Sequence, residues 1–153
     1  MAGRWDGAHV VFYRKLKTFQ GRRVPAILLA KRTLDAPTAP GCWSLIGGRI
    51  EPDEKPIETA LRESREELFH RSRLRLRFLC KIKRRRNGQT YIVYFFLAPL
   101  NEDMDTLRLK RSTEGRRIVE GGGLGWFTKA EIRSLRVRQQ DRPAISRYFA
   151  SVR

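Results

Sequence analysis

Three carboxylates crowd one short stretch: Glu63, Glu66 and Glu67 fall within five positions of "RESREELF". At about 100° per residue, a helix sets them inside an arc of roughly 100°, so three like charges share one flank. Each i,i+4 pair then costs a few tenths of a kcal/mol unless water or a cation offsets it. Mg²⁺ and Mn²⁺ suit oxygen-rich sites with few protein ligands, keep several waters and bridge to substrate phosphates. The cluster therefore reads either as a solvated acidic face or as a divalent-metal platform that brings phosphates with it.

The elements that must position these residues can be read from the pattern around them. From Pro56, suited to the first helical position, Ile57, Ala60, Leu61, Ser64 and Leu68 recur on one face and predict a helix ending near Leu68. Before it, "AHVVFYRK" and "RRVPAILLAKR" read as two strands joined by a turn at "KTFQG". "TLDAPTAPGC" reads as loop, and "WSLI" as a short buried strand running into Gly47 and Gly48. After the helix, "RLRLRFLCKIKRRR" alternates, Asn87-Gly88 is a strong hairpin signal, and "QTYIVYFFLAP" returns as a mostly buried strand. "LGWFTKAEIRSL" predicts a short strand and a helix with Thr128 as N-cap and Glu131 completing a capping box. "RPAISRYFASV" is a final amphipathic helix. Mixed hairpins and few helices predict an α/β domain with a mixed sheet.

The 153 residues fit a single domain, 1–153, with a real hydrophobic core. Lys and Arg number 33 against 16 Asp and Glu, and the net charge of +17 predicts attraction to phosphates, nucleic acid or another polyanion. Cys42 and Cys80 have neither zinc-site spacing nor the density of a disulfide scaffold, so free thiols in a reducing cytoplasm are expected. "MAGRWDGAHV" has no apolar signal core, and the run Tyr91 to Leu100 is too short for a membrane helix. A soluble cytoplasmic protein is the expectation.

The residues preceding the cluster decide between its two readings. Gly48, Glu54, Arg62, Glu63, Glu66 and Glu67 fall on the fixed positions of the Nudix hydrolase signature, which the stretch Gly48 to His70 resembles. That signature runs from a glycine, through five residues, to a glutamate, then seven residues and Arg-Glu-apolar-x-Glu-Glu-x-Gly-apolar. "PGCWSLIGG" and "LGWFTKAEI" resemble the family's flanking strands, extending the likeness from about Ala8 to Leu135. Three positions depart: Ser64 and His70 replace apolar residues, and Phe69 replaces the glycine that ends the helix. Ser64 costs packing unless its hydroxyl bonds back to a helix carbonyl, and Phe69 implies a different exit from the helix.

The resemblance implies a Nudix-like α/β/α sandwich and metal-dependent hydrolysis of a nucleoside diphosphate linked to another group, with a nucleoside triphosphate or related nucleotide as the first expectation. It implies Glu66 and Glu67 as ligands of Mg²⁺ (or Mn²⁺), Glu63 as ligand or general base, and Arg62 paired with Glu54 to orient the cluster. The Gly48 carbonyl can approach the metal because glycine lets the backbone come close. Glu120 and Glu114 precede Trp126 where some relatives supply a further carboxylate, and Glu120 is the expected extra ligand. Arg32 matches a position where relatives place a substrate-contacting arginine. His9 and His70 lack a spaced partner and are not expected as ligands. "EGGGLG" lacks the order of a phosphate loop and reads as a flexible connection.

No acid occurs between Glu67 and Glu102, and Arg71 to Thr90 carries nine Lys or Arg. An alternating strand would project Arg71, Arg73, Arg75 and Arg77 to one side and lead through Lys81, Lys83 and Arg84 to Arg86 at the hairpin tip. This basic ribbon, Arg71 to Arg86, is either a solvated face or a track for RNA or another polyanion, with Tyr91 or Trp43 available for stacking. Two further readings follow: an RNA 5′-pyrophosphohydrolase, and a Nudix-fold module that binds nucleotide or RNA without hydrolysis. The intact carboxylates favour catalysis. The resemblance disfavours ADP-ribose cleavage, since no proline lies between Arg71 and Ala98, where the family's ADP-ribose members usually place one.

Overall fold

The computed structural model describes residues 5–36, 38–70, 72–102, 108–109 and 123–152. In chain order the elements are β1 (Gly7–Lys17), β2 (Arg23–Lys31), β3 (Trp43–Ser44), β4 (Ile46–Arg49), α1 (Pro56–Glu67), β5 (Leu68–Phe69), β6 (Arg77–Arg86), β7 (Gln89–Pro99), β8 (Arg108–Leu109), β9 (Leu124–Thr128), α2 (Lys129–Ile132) and α3 (Arg142–Ser151). Seven strands form one mixed sheet in the order β3-β2-β1-β7-β6, with β4 paired to β1 and β9 to β2. β1 and β7 run parallel; the other pairs are antiparallel. This is the mixed α/β architecture expected from the sequence.

β1 is central because its N-terminal half is apolar on both faces, as a strand covered on both sides must be. Its alternate residues divide between two cores. Ala8, Val10 and Phe12 join Leu28, Ile46, Phe96 and Ala60 of α1. Val11 joins Ile27, Leu29, Phe95 and the α3 residues Ala144, Ile145, Tyr148 and Phe149. Fully buried side chains such as Phe12, Phe95 and Leu28 contribute about 1.5–3 kcal/mol each. The sheet thus lies between α1 on one face and α2 and α3 on the other.

Several local expectations hold. Asn87 (φ 51°) and Gly88 (φ 76°) both take the left-handed conformation of a two-residue hairpin turn. Thr128 caps α2, its hydroxyl accepting from the Glu131 amide while Glu131 accepts from the Thr128 amide. Cys42 and Cys80 are free. No helix among the described residues is long and apolar enough to cross a membrane.

Three expectations are corrected. The "WSLI" strand is broken at Leu45 into β3 and β4, which pair with different neighbours, and the Leu45 amide freed by the break donates to the Asp141 carboxylate at 3.0 Å. After α1 the expected alternation is present, Arg73, Arg75 and Arg77 being exposed and Leu74 and Leu76 packed on the α1-side core, but the paired strand begins only at Arg77, and Arg71 lies outside the described residues. In α1, Ile57 is exposed and the small residues Ala60 and Ser64 face the sheet. The Ser64 hydroxyl donates to the Ala60 carbonyl at 2.7 Å, which satisfies it inside the core.

Candidate active site

The carboxylates are positioned by the close seating of α1 on β4 and β1. With small residues, Thr59, Ala60 and Ser64, buried on its inner side, the helix comes near enough for the next flank, Glu63 and Glu67, to meet the backbone of Gly47 and Gly48. A Cβ on Gly48 would collide with the Glu63 carboxylate, and one on Gly47 with the Ala8 carbonyl and His9. Both glycines are therefore fixed by space, and the collision partner at Gly48 is a functional group. The Gly47 amide donates to the Glu67 carboxylate, and Glu67 is hydrogen-bonded to Glu63. Burial raises Glu67 well above the ordinary carboxylate range, and the neighbouring Glu63 charge adds to the shift. Glu63 is raised as well, chiefly by burial, although Arg62 opposes it.

Arg62 knits the other side. Its Nε and Nη2 hold the two oxygens of Glu54 at 2.8 and 3.0 Å, the two-pronged geometry that suits guanidinium to carboxylate. Nη1 reaches Glu63 at 3.0 Å and Glu66 at 3.2 Å, and Nη2 also donates to the Arg49 carbonyl at 3.1 Å. The Arg62 hydrogen bonds hold Glu54 down at about 2, with help from the Thr59 hydroxyl. One guanidinium thus ties the Gly48–Arg49 segment, the loop before α1 and two of the three carboxylates into one unit. A shallow groove of about 380 Å³ lined by Glu58, Leu61, Arg62, Arg65 and Glu66 runs along the outer side of this unit.

Of the sequence-predicted site residues, Gly48, Glu54, Arg62, Glu63, Glu66 and Glu67 come together. No set of three His, Cys, Asp or Glu side chains among the described residues converges as a preformed metal cage. Glu63 and Glu67 converge, while Glu66 is turned to Arg62. The donor set still fits a divalent ion of the Mg²⁺ type, which needs only one or two carboxylates beside water and phosphate. Glu120 and Glu114 lie outside the described residues. Arg32 donates through Nε to the Thr38 carbonyl at 2.8 Å and through Nη2 to the Thr38 hydroxyl at 3.1 Å. Its charge bears on Glu67 from one side and on Asp141 and His9 from the other.

Sequence reasoning weighed Arg32 and His9 singly and passed over Asp141 and Gln140, with which His9 is grouped. His9 is buried, stacks on Phe95 at 5.8 Å and lies 3.4 Å from Gln140. Burial first, then the Arg138 and Arg32 charges, lowers it to about 3, so it is neutral. Asp141, completely buried, is raised to about 6 by burial. His9 Nδ1 and Asp141 Oδ1 have no hydrogen-bond partner among the described residues. His9 is no partner of the carboxylates: it lies on the α3 side of the sheet, while Ala8 beside it faces α1. The one signal available was Asp141 ahead of Pro143, which marks a helix start and says nothing of burial.

A mixed sheet with a double-glycine strand feeding a carboxylate-lined helix defines a class of phosphoanhydride hydrolases. The chain belongs to the NUDIX family: the NUDIX domain model matches residues 8–148. As a Nudix hydrolase it acts on phosphoanhydride bonds, and that family in general uses divalent metal ions. A mutT/nudix family protein from Listeria innocua is similar over 99% of this chain and 96% of its own, with 18% identity and a TM-score of 0.72. A Caenorhabditis elegans Ap4A hydrolase is similar over 97% of each chain, with 20% identity and a TM-score of 0.68. A MutT NUDIX hydrolase from Burkholderia pseudomallei is similar over 94% of this chain and 96% of its own, with 25% identity and a TM-score of 0.64. Comparison with curated proteins finds no match.

Proposed function

We propose that the chain is a nucleotide pyrophosphohydrolase that uses Mg²⁺ or Mn²⁺ held by Glu63, Glu66 and Glu67, with the Gly48 carbonyl beside them. A nucleoside triphosphate or a related nucleotide is the first substrate class. The observation that carries this reading is the seating of the Glu63 carboxylate in the space a Gly48 side chain would fill, with Glu67 beside it on the Gly47 amide. A merely solvated acidic face would not be packed against backbone in this way. The ion, when bound, neutralises phosphate charge and lowers the pKa of water.

The protein's own groups do the rest. Arg62 holds Glu63 and Glu66 in place and fixes the Gly48–Arg49 segment through the Arg49 carbonyl. Glu63 and Glu67, both raised by burial, share a hydrogen bond, so a proton held between them is favoured over two bare carboxylates, and either can serve as the base that prepares water. Arg32, anchored on Thr38, presents positive charge between the carboxylates and the His9–Asp141 group, where it suits a substrate phosphate. The C. elegans relative's name, Ap4A hydrolase, places dinucleoside polyphosphates among the substrates to try. A panel of nucleoside triphosphates, dinucleoside polyphosphates and 5′-triphosphorylated RNA, each with Mg²⁺ or Mn²⁺, tests the reading. Turnover of at least one member, abolished by chelation, is expected. Folded protein that turns over none would leave the non-catalytic binding module in its place.

A further inference from the structure

The β6–β7 hairpin carries its charge on the edge of the sheet, and the structure sorts that charge by face. Lys81, Lys83 and Arg85 are exposed and alternate with the half-buried Cys80, Ile82 and Arg84. Lys81 lies opposite Tyr94, which packs on the α1-side core, so the three exposed cations share the face that bears α1. Their spacing along the strand is about 6.8 Å per step, the interval at which an extended single-stranded nucleic acid repeats its phosphates. Among the described residues, no acidic side chain pairs with any of them.

The ladder is tied to the candidate active site. Register places Lys81, Tyr94, Ala8 and Gly48 in one row across β6, β7, β1 and β4, three strand spacings or about 14 Å. At the hairpin tip, Arg86 stacks over the Trp5 ring at 4.8 Å, and Arg49 stacks over the same ring at 4.6 Å. Arg49 follows Gly48 and gives its carbonyl to Arg62. A route of aromatic and guanidinium groups therefore leads from the carboxylates round the tip to the ladder. Tyr91 and Trp43, available for stacking by their place in the sequence, pack against the α3-side core as aromatics more often do. Trp5 is the ring at the tip.

We infer that Arg49, Trp5, Arg86, Arg85, Lys83 and Lys81 form a binding track for single-stranded RNA whose 5′ phosphates lie at the carboxylate cluster. Two guanidiniums held on one aromatic ring and joined to a row of cations can follow the phosphates of such a strand without base readout. This rests on the proposed hydrolytic site for where the strand begins, and not for the track itself. The competing account of lysines on an edge strand is protection against edge-to-edge pairing, and it requires neither Trp5 nor the link to Arg49.

The test is binding of a short unstructured 5′-triphosphorylated RNA over a salt series, with hydrolysis of nucleoside triphosphates read on the same preparations. The variants are Lys81→Gln/Lys83→Gln/Arg85→Gln and, as a control of equal charge, the exposed set Lys129→Gln/Arg133→Gln/Arg136→Gln. Loss of three phosphate contacts should flatten the log–log salt dependence by about 2 for the ladder variant, and by clearly less for the control. Trp5→Ala should weaken RNA binding with little change in slope, because it releases the Arg49 and Arg86 guanidiniums from their positions without removing a charge. Equal slope changes in both triple variants would reduce the track to bulk charge and overturn the inference. Aggregation of a ladder variant with unaltered RNA affinity would assign these cations to edge protection and overturn it as well. Should the wild type hydrolyse no nucleotide while the ladder slope still falls, the track stands and the hydrolytic reading fails.

Discussion

The Arg62–Glu54 pair offers a quantitative test of how the cluster is held. The pair is two-pronged, at 2.8 and 3.0 Å, and the side chains are 24% and 15% exposed. Hydrogen bonds to charged groups contribute about 1.5–3 kcal/mol, and partial exposure puts this pair toward the lower end, about 1.5–2 kcal/mol. Removing Arg62 alone costs more, about 3 kcal/mol, because Glu54, Glu63 and Glu66 are left facing one another with no cation. The assay is urea unfolding at neutral pH without divalent ions, on wild type, Arg62→Ala, Glu54→Gln and the double variant. The cycle then isolates the coupling. The pH dependence supplies a second readout. Arg62 holds Glu54 at about 2 instead of its ordinary 4.5. A carboxylate lowered on folding stabilises fully above its unfolded value, and that stabilisation disappears as pH falls from about 4.5 towards 2. Glu54→Gln and Arg62→Ala should both flatten that acid limb. A coupling below about 0.5 kcal/mol with an unchanged acid limb would refute the view that this pair organises the site.

Two other perturbations follow from the geometry. Gly48→Ala should displace the Glu63 carboxylate and cut the rate by an order of magnitude or more, about 1.4 kcal/mol or above in barrier, which steady-state kinetics will read; wild-type turnover would show that Glu63 has room to spare. Asp141→Asn should keep the bond from the Leu45 amide and remove a buried charge. Because Asp141 is raised to about 6 from 3.8, wild type loses stability as pH rises through that interval, and thermal melts between pH 4 and 7 should show the Asn variant without that loss.

The sequence carried the cluster because its residues are local. Glu63, Glu66 and Glu67 lie on one helix, and the partners Gly48, Glu54 and Arg62 lie within the same loop and helix, so spacing and the pitch of the helix suffice. The turn at Asn87-Gly88 and the cap at Thr128 were legible for the same reason. What escaped depends on contacts between distant segments. The break at Leu45 frees an amide whose partner is a carboxylate 96 positions away. The buried His9–Gln140 contact spans 131 positions. The alternation in "RLRLRF" was legible, with Arg73 and Arg75 exposed and Leu74 and Leu76 inward, but where pairing begins, at Arg77, depends on the partner strand β7. Ile57 was placed in the core by periodicity alone, though Ala60 and Ser64, being small, let the helix settle one flank over.

The most direct test of the central claim is the Mn²⁺ and Mg²⁺ affinity of wild type against Glu67→Gln, measured by titration calorimetry alongside nucleotide turnover. Glutamine keeps the shape and can still accept from the Gly47 amide, so the fold should be retained. The account predicts weakened metal binding together with a large fall in turnover. Wild-type metal affinity and wild-type turnover in a folded Glu67→Gln protein would contradict it.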